Sequence, residues 1–404
     1  MTSIFEAQQL KIENFNFISK LKKLKHASYL SFWERETFFS GIDVAIIGSG
    51  IVGLNAAITL KEREPSLRVV VLERGFLPHG ASTRNAGFAC FGSLTELIDD
   101  LDSHSESEVF GLVERRWQGL QRLRSRVGDQ TLNYQTLGGH EIFRHQERDS
   151  ATNCLDKINY FNEKTENITG FKNVYQAQNQ RISEFGFAGI ETLISNTAEG
   201  QIDTGHMMKA LLSIAKEKGV DIYNGLTISH IEDQNDHVLL QVEAGFSIKA
   251  TKILVCTNGF ARRLSPKLAV EPARNQVLIT APIDNLRIKG CFHYDKGYFY
   301  FRNVGNRVLL GGGRNLAREA EATDTFGLTE NIQAALEQLL HEVILPKQKV
   351  NIDMRWSGIL GIGAQKKPIV EYISPQVAVA VRMGGMGVAI GSLVGEEGAE
   401  LILE

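Results

Sequence analysis

Two groups of residues have the types and spacing to do chemistry. The first is "GSGIVG", with Gly48, Gly50 and Gly53 at G-x-G-x-x-G spacing, followed twenty residues past Gly53 by an acid, Glu73. Gly48 lets the chain turn tightly, Gly50 lets a pyrophosphate approach the backbone, and Gly53 lets a helix pack against its strand. Ser49, Ile51 and Val52 complete the turn and open that helix, whose free N–H groups and partial positive charge suit phosphate. Glu73 suits ribose hydroxyls, with Arg74 beside it. The second group is "GASTRNAGF", residues 80–88, a loop of small residues that carries Arg84 and Asn85 side by side.

The elements that must position these groups can be read around them. "IDVAII" is a buried strand running into the glycines, and "LNAAITLKERE" is a helix ending near Pro65. "RVVVL" is a second buried strand that delivers Glu73. A glycine-rich turn that binds nothing would leave Glu73 unexplained, although the motif alone does not separate NAD from FAD. The small-residue loop and a long helical region at 94–127 follow the acid, which fits a cofactor larger than NAD.

"DVAIIGSGIVG…VVVLERG…GASTRNAGF" resembles the opening of the D-amino-acid oxidase superfamily of flavoproteins, which includes glycine, sarcosine and gamma-glutamylputrescine oxidases. Residues 80–87 match that family's second fingerprint, G-A-S-x-R-N-x-G. The resemblance implies that Ser82, Thr83, Asn85, Ala86 and Gly87 line FAD and that Arg84 lies beside its isoalloxazine ring; a surface salt bridge is the plainer alternative for Arg84. Three further segments agree. In 201–232, Met208, Leu211, Leu212 and Ala215 fall at helical spacing behind an N-cap at Asp203 or Thr204, and the next strand carries Ile228, whose backbone the resemblance gives to adenine. In "IKATKILVCTNGFA" a ribbon strand and then a buried strand lead to Thr257 and Gly259, implied to pass under the pyrophosphate; an ordinary strand-to-loop turn is the alternative. At the C-terminus Gly385, Met386, Gly387 and Val388 open a last helix whose N–H groups are implied to face flavin O2 and N1, or else they only relax a helix–sheet contact.

The expected architecture is α/β, a discontinuous Rossmann-like FAD-binding domain (41–93, 200–270 and 353–404) with a second α+β domain for substrate (94–199 and 271–352) built on a mostly antiparallel sheet. Strands "NQVLITAP", "GYFYFRN" and "RVLLGGG" and a helix at 329–344 belong to the second domain. Residues 1–40 read as a helical extension, in which Trp33 either caps the site or anchors the extension.

The chemistry implied is oxidation of a C–N bond in an amine or amino acid by hydride transfer to flavin N5, giving an imine that hydrolyses. A neutral amine would need no strong base. Alternation in "GYFYFRN" puts Tyr298, Tyr300 and Arg302 on one strand face and Phe299 and Phe301 on the other. Tyr300, Arg302 and Arg84 are therefore the catalytic candidates, unless the tyrosines simply face water. One departure from the family stands out in "RWSGILGIG": Leu360 occupies the place of the arginine that clamps a substrate carboxylate in W-x-G-L-R-P. That directs the reading toward the gamma-glutamylputrescine oxidase type, and leaves Arg302 or Arg314 open for a more distant carboxylate, with Lys366 and Lys367 as surface candidates. No histidine or cysteine falls at a covalent-flavin position, so FAD is expected to be non-covalent. The oxygen-activating lysine of sarcosine oxidases falls at Leu309, which leaves the electron acceptor open between O2 and another partner. The alternatives are a flavin-binding sensor or scaffold, a tRNA wobble-uridine-modifying flavoenzyme, and an NAD-only dehydrogenase. The second would call for a basic face and a fused methyltransferase.

Bulk properties restrict the partners. The net charge of −3 over 404 residues offers no footprint for nucleic acid. The basic run "KLKKLKH", residues 20–26, reads as a solvated helix face. No run is long and apolar enough to span a bilayer, and no signal-peptide pattern opens the chain. Four scattered cysteines imply neither a metal site nor a redox pair, and the expected location is the cytoplasm.

Overall fold

The computed structural model describes residues 30–404; the basic run at 20–26 and most of the expected extension lie outside them. Two large sheets organise the chain. In the first, Ile42–Ile47 lies between Val69–Glu73 and Phe246–Val255, parallel to both; Asp221–Asn224 and Val377–Val381 continue the parallel order on either side, and Ile369–Ser374 adds an antiparallel edge. Strands buried on both faces read as unbroken apolar runs, and "VVVLE" is buried at every position.

The Phe246–Val255 strand does two jobs. Its first half pairs antiparallel with Val238–Val242, which pairs in turn with Ile228–Asp233. Its second half runs parallel to Ile42–Ile47. The ribbon strand and buried strand expected from the sequence are thus one continuous element.

Helix Ile51–Arg63 is buried from Ile51 through Leu60, because helix Gly387–Leu403 crosses it closely. A Cβ on Gly395 would stand 2.6 Å from the Val52 carbonyl oxygen, so glycine sets the helix separation there. The expected helical region at 94–127 is two helices, Leu94–Leu101 and Glu106–Val127. Each starts at a capping box, Ser93 with Glu96 and Ser105 with Glu108.

The second sheet has the order Ile352–Ile362, Glu271–Thr280, Arg307–Gly312, Phe299–Val304, Cys291–Tyr294, Gly139–Arg144, Ile190–Asn196, Tyr175–Ala177. All its pairings are antiparallel except the one between Cys291–Tyr294 and Gly139–Arg144. Ile352–Ile362 therefore belongs to this sheet, and the domain boundary expected at 353 falls inside an edge strand. Its register against Glu271–Thr280 runs from Ile352 to Ile362. The helix expected at 329–344 is Glu330–Leu339, extended by a wider turn through Ile344. Trp33 is 73% exposed and meets Phe32 edge-on; it lies against neither cavity described below.

Candidate active site

A groove of about 300 Å³ runs across the carboxyl ends of the first sheet's parallel strands, past Gly48, Glu73, Thr257 and Met383. This is where open parallel sheets bind ligands. The glycine fingerprint builds its floor. A Cβ on Gly53 would lie 2.0 Å from the Gly48 carbonyl oxygen, and one on Gly48 would lie 3.0 Å from that of Cys256. Gly53 does not itself line the groove; it fixes the turn from behind.

Glu73 is buried at the groove's edge. One carboxylate oxygen accepts from Ser49 N at 3.1 Å and Ser49 Oγ at 2.8 Å, and the other from Gly75 N at 2.9 Å. Ser49 orients the acid and is absent from the wall. Gly50, Ile51, Val52 and Ile228 line the groove, as does Arg74, whose guanidinium lies 3.8 Å over the Phe260 ring. Burial lowers the basicity of Arg74.

The second fingerprint is brought onto the first. Ser82 Oγ accepts from Ile51 N at 2.9 Å, at the opening of the helix. Asn85 holds its own loop: Nδ2 donates to Ser82 O at 2.9 Å, while Oδ1 accepts from Gly87 N at 2.8 Å and Thr204 Oγ1 at 2.9 Å. Asp203, not Thr204, caps the following helix through His206 N at 2.8 Å. Thr83 turns away, donating to Pro78 O at 2.7 Å, and lines neither cavity.

Thr257 lines the groove with its hydroxyl buried and unpartnered. Gly259 is a packing residue, with a Cβ there 2.4 Å from Leu360 O. Asn258, which the sequence did not single out, ties the third segment to the fourth. Its Oδ1 accepts from Arg382 N at 3.1 Å and Met383 N at 3.2 Å. The fourth segment puts Gly385, Gly387 and Val388 on the groove.

A second cavity of about 720 Å³ adjoins the first, and the two share Ala81, Asn85, Leu360, Gly385 and Val388. Ala86, Gly87, Met386, Arg84 and Tyr300 line only the second. Arg84 makes no ion pair with any described residue. It donates from Nη1 to Ser357 O at 3.0 Å, lies 4.4 Å over the Phe326 ring, and its carbonyl accepts from Trp356 Nε1 at 3.0 Å.

The alternation in "GYFYFRN" resolves in favour of the cavity. Phe299 and Phe301 enter the hydrophobic core, and Tyr298 and Tyr300 line the cavity. The Tyr300 hydroxyl accepts from Asn275 Nδ2 at 3.1 Å, and burial raises its pKa. Arg302 is displaced from this set. It is buried behind the cofactor loop, where a Cβ on Gly87 would meet its Nη2 at 2.9 Å, and it lines neither cavity. Leu309 is buried with Ala86 and Val277.

The far wall was not legible in the sequence. Arg116 is buried and donates to Phe91 O at 2.9 Å. His293 is buried, edge-on to Phe88, with Nε2 unpartnered, and burial lowers its pKa. Behind it Glu199 accepts from Phe91 N at 2.7 Å and Gly92 N at 3.0 Å, and burial raises its pKa to about 7. Cys90, Glu199 and His293 bring ligand atoms within 4.8 Å of one another. The two backbone amides on Glu199 account for its placement as a cap of the loop after Cys90.

The groove fits FAD: it carries an oriented acid, a glycine-floored helix start and an unpartnered buried hydroxyl, and it continues into a wider cavity. Comparison with known proteins agrees. Residues 43–401 match the DAO family model, described as FAD dependent oxidoreductase, and the chain belongs to that family. It is 27% identical over 383 residues to the probable oxidoreductase OrdL of Rhizobium meliloti (strain 1021), covering 89% of this chain and 83% of that one. L-proline dehydrogenase from P. horikoshii superposes with a TM-score of 0.70 at 18% identity over 89% of this chain and 93% of that one. Glycine oxidase from Bacillus cereus superposes with a TM-score of 0.71 at 16% identity over 90% and 97%. The chain is thus an FAD-dependent oxidoreductase. Among the described residues no helix is long and apolar enough to cross a membrane.

Proposed function

We propose that this chain oxidises a C–N bond of a small amine or amino acid to an imine, which water then hydrolyses to a carbonyl compound and a free amine or ammonia. The observation that carries the reading is the junction of the two cavities at Leu360, Gly385 and Val388. There the nucleotide groove opens into a substrate-sized space beside the start of the C-terminal helix. FAD supplies the two-electron acceptor when bound, and we propose that it is held without a covalent bond, because residues 80–87 contain neither histidine nor cysteine.

The chain's own residues position and exclude. Gly48, Gly50 and the first turn of helix Ile51–Arg63 receive the pyrophosphate; Glu73 takes ribose hydroxyls. The helix starting at Gly387 offers N–H groups where negative charge develops, which stabilises it by roughly 0.3–1 kcal/mol, more when buried. Tyr300, kept protonated by burial, is a hydrogen-bond donor toward the substrate amine. The aliphatic wall at Leu360 and Val388 disfavours a charged ammonium at the reacting carbon, so the amine reacts neutral. Arg84 holds the loop against the second sheet, and Arg302 supports it from behind. We place the enzyme in the cytoplasm, a reading supported by four buried cysteines that are all free, and leave the acceptor open between O2 and another oxidant.

Anaerobic mixing of the holoenzyme with glycine, sarcosine, D-alanine, putrescine derivatives and alkylamines tests the reaction. Loss of the oxidised-flavin absorbance with at least one amine is expected. Retention of the full spectrum with every member would end the proposal.

A further inference from the structure

The cavity beyond the junction is divided by charge. The five residues it shares with the groove are uncharged. Its charged residues lie elsewhere on the wall: two carboxylates, Glu96 and Asp99, and cations of which nearly all are engaged. Lys296 Nζ is 3.0 Å from Asp99, and Lys366 Nζ is 2.5 Å from Asp100. Arg318 donates to Tyr298 OH at 2.7 Å, Arg84 to Ser357 O and Arg116 to Phe91 O.

Arg314 differs. It lines the cavity, is half-buried, and makes no hydrogen bond or ion pair through its guanidinium with any described residue. It opens the short turn Arg314–Ala317, set by Gly313 at φ 75°. Burial lowers its basicity, with Tyr298 and Glu321 raising it and Arg318 lowering it to a lesser degree, and a guanidinium stays charged in a protein. Such a group, part-desolvated with five donors in a fork and no acceptor, suits a planar two-oxygen anion. Arg302, the other arginine left open by the sequence, is outside the cavity.

We infer that Arg314 anchors a carboxylate which the substrate carries at a point separate from the reacting C–N bond. The substrate class is then an amine with a remote carboxylate, neither a plain alkylamine nor an amino acid whose carboxylate adjoins the reacting carbon. The cavity volume of about 720 Å³ accommodates an extended molecule of this kind. The inference rests on the amine-oxidation reading for the second half of the substrate, but the anion site can be tested without turnover.

Calorimetric titration of the holoenzyme with glutarate, glutaramide and inorganic phosphate reads the anion site directly. Glutarate is expected to bind at least about tenfold more tightly than its neutral diamide, and Arg314→Leu to weaken it by about tenfold or more, with Arg314→Lys intermediate. Equal binding of glutarate and glutaramide, tighter binding of phosphate, or undiminished glutarate affinity in flavin-loaded Arg314→Leu would overturn the assignment. If the leucine variant does not fold, the glutarate to glutaramide ratio on the unaltered protein decides. Anaerobic reduction by 4-aminobutyrate and by n-butylamine separates the two claims. Faster reduction by 4-aminobutyrate supports both. Equal reduction overturns the anchor and leaves amine oxidation standing. Glutarate binding without reduction by any amine in the wider panel removes amine oxidation and leaves the anchor.

Discussion

The nucleotide groove and the cavity beside it are built on opposite plans. The groove has a backbone floor, glycines packed tightly against neighbouring protein atoms and helix-start amides, with one acid held in place by Ser49 and a wall of mostly apolar side chains such as Ile51, Val52 and Ile228. The cavity wall is made of side chains from several segments, Phe88, Glu96, Arg116, His293, Tyr300 and Arg314 among them, and most of its charges are already partnered within the protein. A backbone cradle fixes one cofactor. A side-chain wall can be altered residue by residue without disturbing the cradle, so substrate identity is expected to reside there.

Substitutions that separate the two plans test this division. The largest effect is expected at Gly53→Ala. The new Cβ would stand 2.0 Å from a backbone oxygen, so the turn must move, and the variant should purify without flavin colour. A flavin-loaded Gly53→Ala protein, read by the ratio of visible to ultraviolet absorbance, would contradict the account of the cradle. Glu73→Ala comes next. It strands the Ser49 and Gly75 donors as well as removing the proposed ribose acceptor, at roughly 1–3 kcal/mol for a buried donor left unpaired. Flavin dissociation should rise by about tenfold or more, while circular dichroism keeps the native signature. Unchanged flavin affinity would show that the acid is structural only.

The smallest effect belongs behind the wall. Folding raises the pKa of Glu199 from 4.5 to about 7, so the folded state holds its proton more tightly than the unfolded state. The resulting stability is full below pH 4.5, declines as pH rises, and is gone above about 7. Glu199→Gln, which keeps an acceptor for the Phe91 and Gly92 amides, should flatten the fall in thermal midpoint across that interval and leave flavin content unaltered. A variant whose midpoint falls with pH as steeply as the unaltered protein would assign the slope to other groups, such as Glu141, which burial also raises to about 7.

What could be read in the sequence follows the same division. Gly48, Gly50, Gly53 and Glu73 are legible because their roles depend on local conformation: a tight turn, a helix start and a strand end are set by neighbours within a few residues. The 80–87 loop and the fourth segment, near Gly385, were legible through their resemblance to a known family. Some individual roles still went astray. Thr83 faces outward and Gly259 packs without lining the groove, because a motif fixes the path of the chain more tightly than the direction of each side chain, whereas Gly53 packs as its spacing predicts. Arg302 shows the limit of strand alternation. It shares a face with Tyr300, yet the sheet carries it past the cavity and under Gly87.

The sequence by itself determined the strand, turn, helix and acid around Gly48 and Glu73, since periodicity and glycine spacing act over short range, while the later segments and the missing clamp at Leu360 were read from the resemblance to a flavoprotein family. Only the tertiary structure decided which charges face the substrate. Glu96, Arg116, His293 and Arg314 lie far apart along the chain, and none has a distinctive local pattern. His293 and Arg314 meet because Cys291–Tyr294 and Arg307–Gly312 both pair with Phe299–Val304, and Glu96 and Arg116 arrive on helices Leu94–Leu101 and Glu106–Val127. Among the described residues lining the cavity, that long-range pairing leaves the Arg314 guanidinium without an acceptor.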